Sequence, residues 1–343
     1  MIYFDMQTSL YQRKVGKVTR TQKLFNEVTP LVPFSDWEKM IFPVYKKKSA
    51  DGCPKKQFKV VLRTFLARML LGMSYEQIEN ALHENETVRN FCGISEDDDI
   101  PSDSSIWRFE TLLTENGFQK KMFKEHVDGL IIKGKLIKRG TCVDSTIIDA
   151  PTSKRNEEKS KDPEAGWTKK AGNHRHGFKG HTGTDEDSGL IHSVKFTAAN
   201  EHDLSAVEDL LHGEEKNLNG DSAYLKVEEH SAKAAKIENI NIAKRRSSYL
   251  ENTKLSPLQK LKQVIIARYF AKVRAKVEHP YSAIKRIFKF RYTRTRGITK
   301  NEARFTFMCL LANIHKLSRP PKERKSESQG GTLPISDINV KTA

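Results

Sequence analysis

The hydrophobic period of this chain changes at Gly140, and that change limits the folds open to it. Upstream, apolar residues recur three and four positions apart, the spacing of helices that bury one face. Val60, Val61, Phe65, Met69 and Leu70 mark a helix from Gln57, and Ser74 with Gln77 forms a capping-box pair opening another over Ser74 to Leu82. A third runs from about Glu86 to Phe91. After the break DDDIPSDSS, Ile106, Phe109 and Leu112 or Leu113 define a helix from Ser104, followed by one over 118–132. Residues 1–55, broken by Pro30, Pro33, Pro43 and Pro54, read as an irregular arm. Residues 1–135 thus form a helical module. Its short helices and tight turns resemble helix-turn-helix units, a pattern shared with small bundles that bind no DNA.

Downstream of Gly140, Thr141 to Ile148 is short, β-branched and closed by Ala150-Pro151, which predicts a strand. Lys154 to Arg175 reads as a long loop. Strands over 177–185 and 189–199 are joined by DEDSG, and Leu204, Val207, Leu210 and Leu211 are helix-spaced. A strand over 217–224, a helix over 227–237 and a strand over 240–244 complete the order β, β, β, α, β, α, β. A long helix from about Leu258 to Phe288 is bent by Pro280, and Phe305 to Leu317 closes the core. The polar segment 319–343 is a disordered tail, which leaves 136–318 as an α/β domain.

Charge narrows the partners. Lys and Arg number 60 against 43 Asp and Glu, a net +17. Fourteen of the cations lie between Lys260 and Arg304, against only Glu278 and Glu302. A second excess spans Lys154 to Lys179, with Trp167, His174 and His176 interleaved. Such runs are commonly solvated faces, but self-repulsion this concentrated favours a phosphate-backbone partner. Apolar runs are too short for a bilayer span, the N-terminus lacks a secretory core, and Cys53, Cys92, Cys142 and Cys309 have no C-x-x-C spacing. The expectation is a cytoplasmic protein with reduced cysteines.

Metal-assisted phosphodiester chemistry needs carboxylates on rigid supports. Asp144 sits among β-branched strand residues, where an Asp faces either a ligand or water. Asp221, in NGDSAY, is either a second such acid or an Asx-turn residue. Glu278 is the only acid between Thr253 and Thr293. Arg274 lies four residues before it and Lys285 seven after, on one helical face, an arrangement that suits a metal-binding acid flanked by phosphate-gripping cations or a plain i, i+4 ion pair. Asp203 reads as a helix cap, Asp149 as support for the first strand, and His174, His176, His181 and His202 as loop or cap residues.

This order of elements, with acids on strand one, on strand four and on the helix after strand five, resembles the RNase H-like fold. GTCVDSTIIDAP, KDPEAGWTKKAGNHRHGFKGHTGTDEDSGLIHSV, TAANEHDLSAVEDLLHGEE, NGDSAY and RAKVEHPYSAIKRIFKFRYTRTRG resemble the DDE transposases of bacterial insertion sequences, specifically the insertion sequence five family, over roughly residues 30–318. FCGI followed by DDDIPSDSSIWRFETLL is similar to that family's helical domain.

The resemblance implies a DNA transposase that hydrolyses a phosphodiester at inverted-repeat ends and joins the freed 3′ hydroxyl to target DNA. Asp144, Asp221 and Glu278 match the acidic triad that holds two Mg²⁺, for which Mn²⁺ substitutes. Arg274 and Lys285 match the Arg-x3-Glu-x6-Lys signature. Ala271 stands where the wider signature has Tyr, with Tyr269 nearby. Arg274, Lys285, Arg286, Lys289, Arg291 and Lys179 are the implied DNA contacts, the N-terminal module reads the repeats, and action on two ends implies a homodimer on DNA. A nuclease without strand transfer and an inactive DNA-binding derivative share these features.

Overall fold

The computed structural model describes residues 18–46, 57–95, 98–155, 157, 160–170, 172–243, 256, 258–259, 261, 264–265 and 280–319. The chain opens with α1 (Arg20–Val28), a 3-10 turn (Thr29–Leu31) and α2 (Phe34–Tyr45), so the expected irregular arm is largely helical. The prolines mislead because two stand where the backbone tolerates them. Pro30 falls in the first turn of the 3-10 segment, and Pro33 is the N-cap of α2. Pro43 lies inside α2 near its end, while Phe25, Val28, Trp37 and Ile41 give these helices a buried face.

Then come α3 (Phe58–Leu71), α4 (Tyr75–Glu84), α5 (Glu86–Cys92), α6 (Asp103–Glu115) and α7 (Phe118–Ile132), all at their expected places. The capping box forms: the Ser74 hydroxyl accepts from Gln77 N at 3.1 Å, and the Gln77 carboxamide accepts from Ser74 N at 2.9 Å. Gly72 ends α3 at φ +62, and a Cβ there would sit 2.3 Å from the Phe288 carbonyl oxygen. Only glycine allows the helical region to approach the C-terminal chain this closely.

The sheet contains β1 (Gly140–Asp149), β2 (Gly166–Lys170), β3 (Asn173–Asp185), β4 (Ile191–Ala198), β5 (Asn217–Gly220) and β6 (Asn239–Ile242). β1 pairs antiparallel with β3 and parallel with β5, which pairs parallel with β6; β4 flanks β3. The order β4-β3-β1-β5-β6, with a three-strand meander followed by two parallel strands, is the RNase H-like topology. β2 was unexpected: it pairs with residues 173–177 of β3, turning the end of the predicted loop into a hairpin. Its Gly-Trp-Thr-Lys-Lys sequence has no hydrophobic alternation, and its pairing comes from β3 running on past the last residue it pairs with β4, which leaves that edge open.

The helical segments on the far side of the sheet are shorter than expected. A 3-10 turn (Asp203–Ala206) leads into the single turn α8 (Val207–Leu210), and α9 (Val227–His230) is followed by a 3-10 turn (Ala234–Lys236). Their apolar residues pack with Val143, Leu218 and Tyr224 as a second core. The long helix expected over 258–288 falls mostly outside the described residues, and its final turns, at Ala283–Ile287, are a π-helix. The tail expected beyond 319 is also outside them.

The main core is organised by α10 (Ile298–Leu317), buried on nearly every side, as a helix between two layers must be. Toward the sheet its Phe305 ring fills the space where a Gly180 Cβ would stand, 2.2 Å away. The Asn313 carboxamide grips β4, accepting from Ile191 N and donating to Ile191 O, each at 2.8 Å. Toward the helices, the Phe307 ring lies 5.0 Å from Phe65 and 5.8 Å from Trp37. One continuous cluster therefore joins helices to sheet. Cys92, Cys142 and Cys309 are buried and take part in no disulfide among the described residues. Among the described residues no helix is long and apolar enough to cross a membrane.

Candidate active site

Strand register brings the first two acids together. In the parallel β1–β5 pair, Cys142 is opposite Asn219. Two residues further along each chain are Asp144 and Asp221, and Asp221 is still extended at φ −86, ψ −177. The β1–β5 pairing ends at Cys142 and Asn219; parallel neighbours point the same way across about 4.8 Å, so the same register carried on by two residues would put both carboxylates on one face where β5 ends. Asp221 Oδ1 also accepts from Ala223 N at 2.9 Å, capping a 3-10 turn (Ser222–Tyr224). The Asx-turn reading is therefore correct for one of its oxygens. Asp144 Oδ1 accepts from Ser145 N at 2.8 Å.

Two buried tyrosines sense these charges. The Tyr224 phenol is held well above its ordinary pKa by burial, then by Asp203, Asp144 and Asp221. Tyr281 is raised by burial and by Asp144. Its hydroxyl donates to the Asp144 carbonyl at 2.8 Å, and the Thr182 hydroxyl lies 2.8 Å away. A phenol has one proton, so Thr182 is the donor in that second contact. Neither tyrosine was singled out in the sequence. Tyr281 lies three residues beyond Glu278, the only available signal.

The edge of β1 left open beyond β5 is closed by the C-terminal chain. After Tyr281 at Asp144, Lys285 Nζ donates to the Ile147 carbonyl at 2.8 Å. Asp149 then makes a backbone bridge, its N–H donating to Arg291 O and its carbonyl accepting from Thr293 N. Lys285 is thus anchored as well as cationic. Burial, then Arg175 and Lys170, push its amine down to about 8.

The unfolded chain, with an ordinary lysine near 10.5, holds that proton more tightly, so stability rises with pH between these values. Thermal unfolding of the wild type and of Lys285→Met is expected to differ progressively in the wild type's favour above about pH 8. A difference that does not move with pH contradicts burial of the amine.

The other expected DNA contacts divide. Arg286, Lys289 and Arg291 are exposed beside Lys285. Lys179 is a correction: its side chain is only 13% exposed, with Nζ 3.1 Å from Asp203 and donating to Glu201 O at 2.6 Å. It points to the face opposite Asp144, because Lys179 pairs with Ile147, an odd number of residues away along β1.

Asp203 is likewise an ion-pair partner, and the cap of its turn is His202, whose Nδ1 accepts from Leu204 N. Buried His181 hydrogen-bonds Thr197 at 2.9 Å, and burial lowers its pKa to about 4. Asp149 supports the end of β1 as expected, accepting from Arg175 Nε at 2.8 Å.

Asp144 and Asp221 are hard oxygen donors, a chemistry that fits Mg²⁺ or Mn²⁺. Among the described residues no three His, Cys, Asp or Glu gather into a metal-holding group. Glu278 and Arg274 lie outside those residues.

A mixed sheet of this order, with Asp144 on β1 and Asp221 directly after β5, is the arrangement expected of a polynucleotidyl-transferase type of domain. The family model described as "Transposase DDE domain" matches residues 135–314, more than half of the chain. The chain belongs to that family and is a DDE transposase. A second model, described as "Transposase domain (DUF772)", matches residues 15–112.

Among solved structures, a Mos1 transposase paired-end complex with left transposon end is similar at 10% identity, with 81% of this chain and 100% of that chain covered and a TM-score of 0.18. A Mos1 strand transfer complex is similar at 11% identity, with 79% and 97% covered and a TM-score of 0.17. Backbone agreement at that level carries no argument.

Proposed function

We propose that this DDE transposase is of the insertion sequence five type, hydrolysing phosphodiesters at the inverted-repeat ends of its element and joining the freed 3′ hydroxyl to target DNA. The observation that supports this reading is the β1–β5 register, in which Cys142 lies opposite Asn219, each two residues before Asp144 and Asp221. Tyr281 supports it, tying the chain just after Glu278 to the Asp144 backbone.

Asp144, Asp221 and Glu278 would hold two Mg²⁺ ions, with Mn²⁺ as a substitute. When bound, such ions lower the pKa of an attacking hydroxyl and stabilise the departing oxyanion. The protein's own contribution is positional. Tyr281 and Thr182 fix the backbone that carries Asp144, and the Asx turn fixes Asp221. Arg274, Lys285, Arg286, Lys289 and Arg291 hold phosphates in line with these acids. Residues 1–135 read the repeats, 136–318 carry out the chemistry, and 319–343 is a tail. The enzyme acts in the cytoplasm as a homodimer on paired ends.

The test uses labelled DNA from both flanks of the reading frame, with Mg²⁺ and a target plasmid. Cleaved ends and joined products are expected. Cleavage without joining indicates a nuclease, and binding with neither product indicates an inactive derivative; either overturns the proposal.

A further inference from the structure

Where the helical region meets α10, the buried charges do not balance. Arg68 on α3 is 0% exposed and Arg304 on α10 is 3% exposed. Both act on one buried carboxylate, Glu110 on α6. A guanidinium does not lose its proton inside a protein. Burial, then Arg68, push that of Arg304 down only to about 10, so two buried positive charges face one negative charge at neutral pH. Arg294, whose guanidinium donates to the Gly72 carbonyl at 3.1 Å, adds a third cation within electrostatic reach of both.

The hydrogen bonds fall short in the same place. Arg68 donates from Nη2 to Glu110 and from Nη1 to the Met73 carbonyl at 3.5 Å, but its Nε has no partner among the described residues. Arg304 has none at Nε or at Nη1. Its guanidinium lies 5.3 Å from the Phe290 ring centroid, a contact that offsets some charge but accepts no N–H from the side of the fork. Buried charges are ordinarily both paired and hydrogen-bonded, and a buried donor left over points to a water or an ion. A water would accept the N–H groups and leave the charge as it is. An anion meets both needs.

We propose that Arg68 and Arg304 bind one small monovalent inorganic anion, chloride or an ion of that size, which completes the charge balance between the helical region and α10. The two arginines are more than two hundred positions apart in the chain, so only the folded protein presents the site, and the anion stabilises it by mass action. The site is separate from the acids on the sheet, and its test does not depend on DNA cleavage.

The test uses the full chain, with chloride replacing gluconate at fixed ionic strength so that screening of the surface charge stays constant. The unfolding temperature of the wild type should rise saturably, by about 4 °C at a hundredfold excess of chloride over its dissociation constant, and bromide should act in the same way. Arg304→Met keeps every surface cation, and its unfolding temperature should be indifferent to the exchange. Crystals of the wild type soaked in bromide should show an anomalous peak beside Arg304 Nε and Nη1, a readout that stands even if the variant does not fold.

A wild type that unfolds at the same temperature in gluconate and chloride, an Arg304→Met protein that keeps the wild-type chloride dependence, or a bromide crystal with only water beside Arg304 overturns the proposal.

Discussion

Asp144→Asn is expected to leave DNA from the element's ends bound and to slow its cleavage by about 10³-fold or more, the scale of removing one charged stabiliser from a preorganised site. The substitution conserves shape. The Asp144 backbone carbonyl still receives Tyr281, so the strand stays in place while the charge proposed to hold a divalent ion is lost. Glu278→Ala is expected to do the same. Single-turnover cleavage in Mg²⁺, with a gel-shift measurement of retained binding, checks both. A Glu278→Ala protein that cuts at the wild-type rate removes the third acid from the triad. Asp144→Asn cutting normally removes the site altogether.

The second large effect is structural and lies between the helical region and α10. Glu110 on α6 is buried with Arg68 on α3, to which it is ion-paired, and accepts a hydrogen bond from Tyr75 at 2.6 Å. Arg304 on α10, 3% exposed, adds a further buried cation that acts on the same carboxylate. Burial alone would raise the Glu110 pKa, but Arg68, Arg304 and Tyr75 outweigh it and hold the carboxyl below its ordinary value.

Glu110→Gln would leave two buried guanidiniums without their counter-charge, and removing one partner of a buried pair costs about 3–5 kcal/mol. Urea unfolding is expected to show a loss of that order, with Arg68→Met plus Glu110→Leu recovering part of it. A loss below about 1 kcal/mol, the scale of exposed pairs, contradicts the burial of this network. Because the folded pKa is depressed, the stabilisation is complete above the ordinary Glu value of 4.5 and disappears as pH falls through the folded value.

The network also bears on how the chain is divided. The periodicity change at Gly140 separates helices from sheet, yet Phe65, Trp37 and Phe307 share one core, and Arg68, Glu110 and Arg304 share one charge cluster. The helices proposed to read the repeats are therefore packed against the sheet domain through α10.

The local signals were legible where they are local in cause. The Ser74 and Gln77 box, the strand at 141–148 and the helix expected from Ser104 follow from hydrogen bonds and side-chain alternation within a few residues. The acids Asp144 and Asp221 were visible as carboxylates placed where a strand or turn must justify them. Three features were not legible. The pairing of β2 depends on β3 outrunning β4, the commitment of Lys179 to Asp203 depends on which sheet face it occupies, and the anchoring of Tyr281 and Lys285 depends on β5 being too short to cover the β1 edge.

What the sequence by itself determined is therefore the class of each element and the chemistry available to it, because propensity, capping and charge density act along the chain. The tertiary structure alone decided which strands the carboxylates share a register with and which cations stay exposed. Strand register and strand length set those outcomes, and both are fixed by contacts between residues that are tens to more than a hundred positions apart.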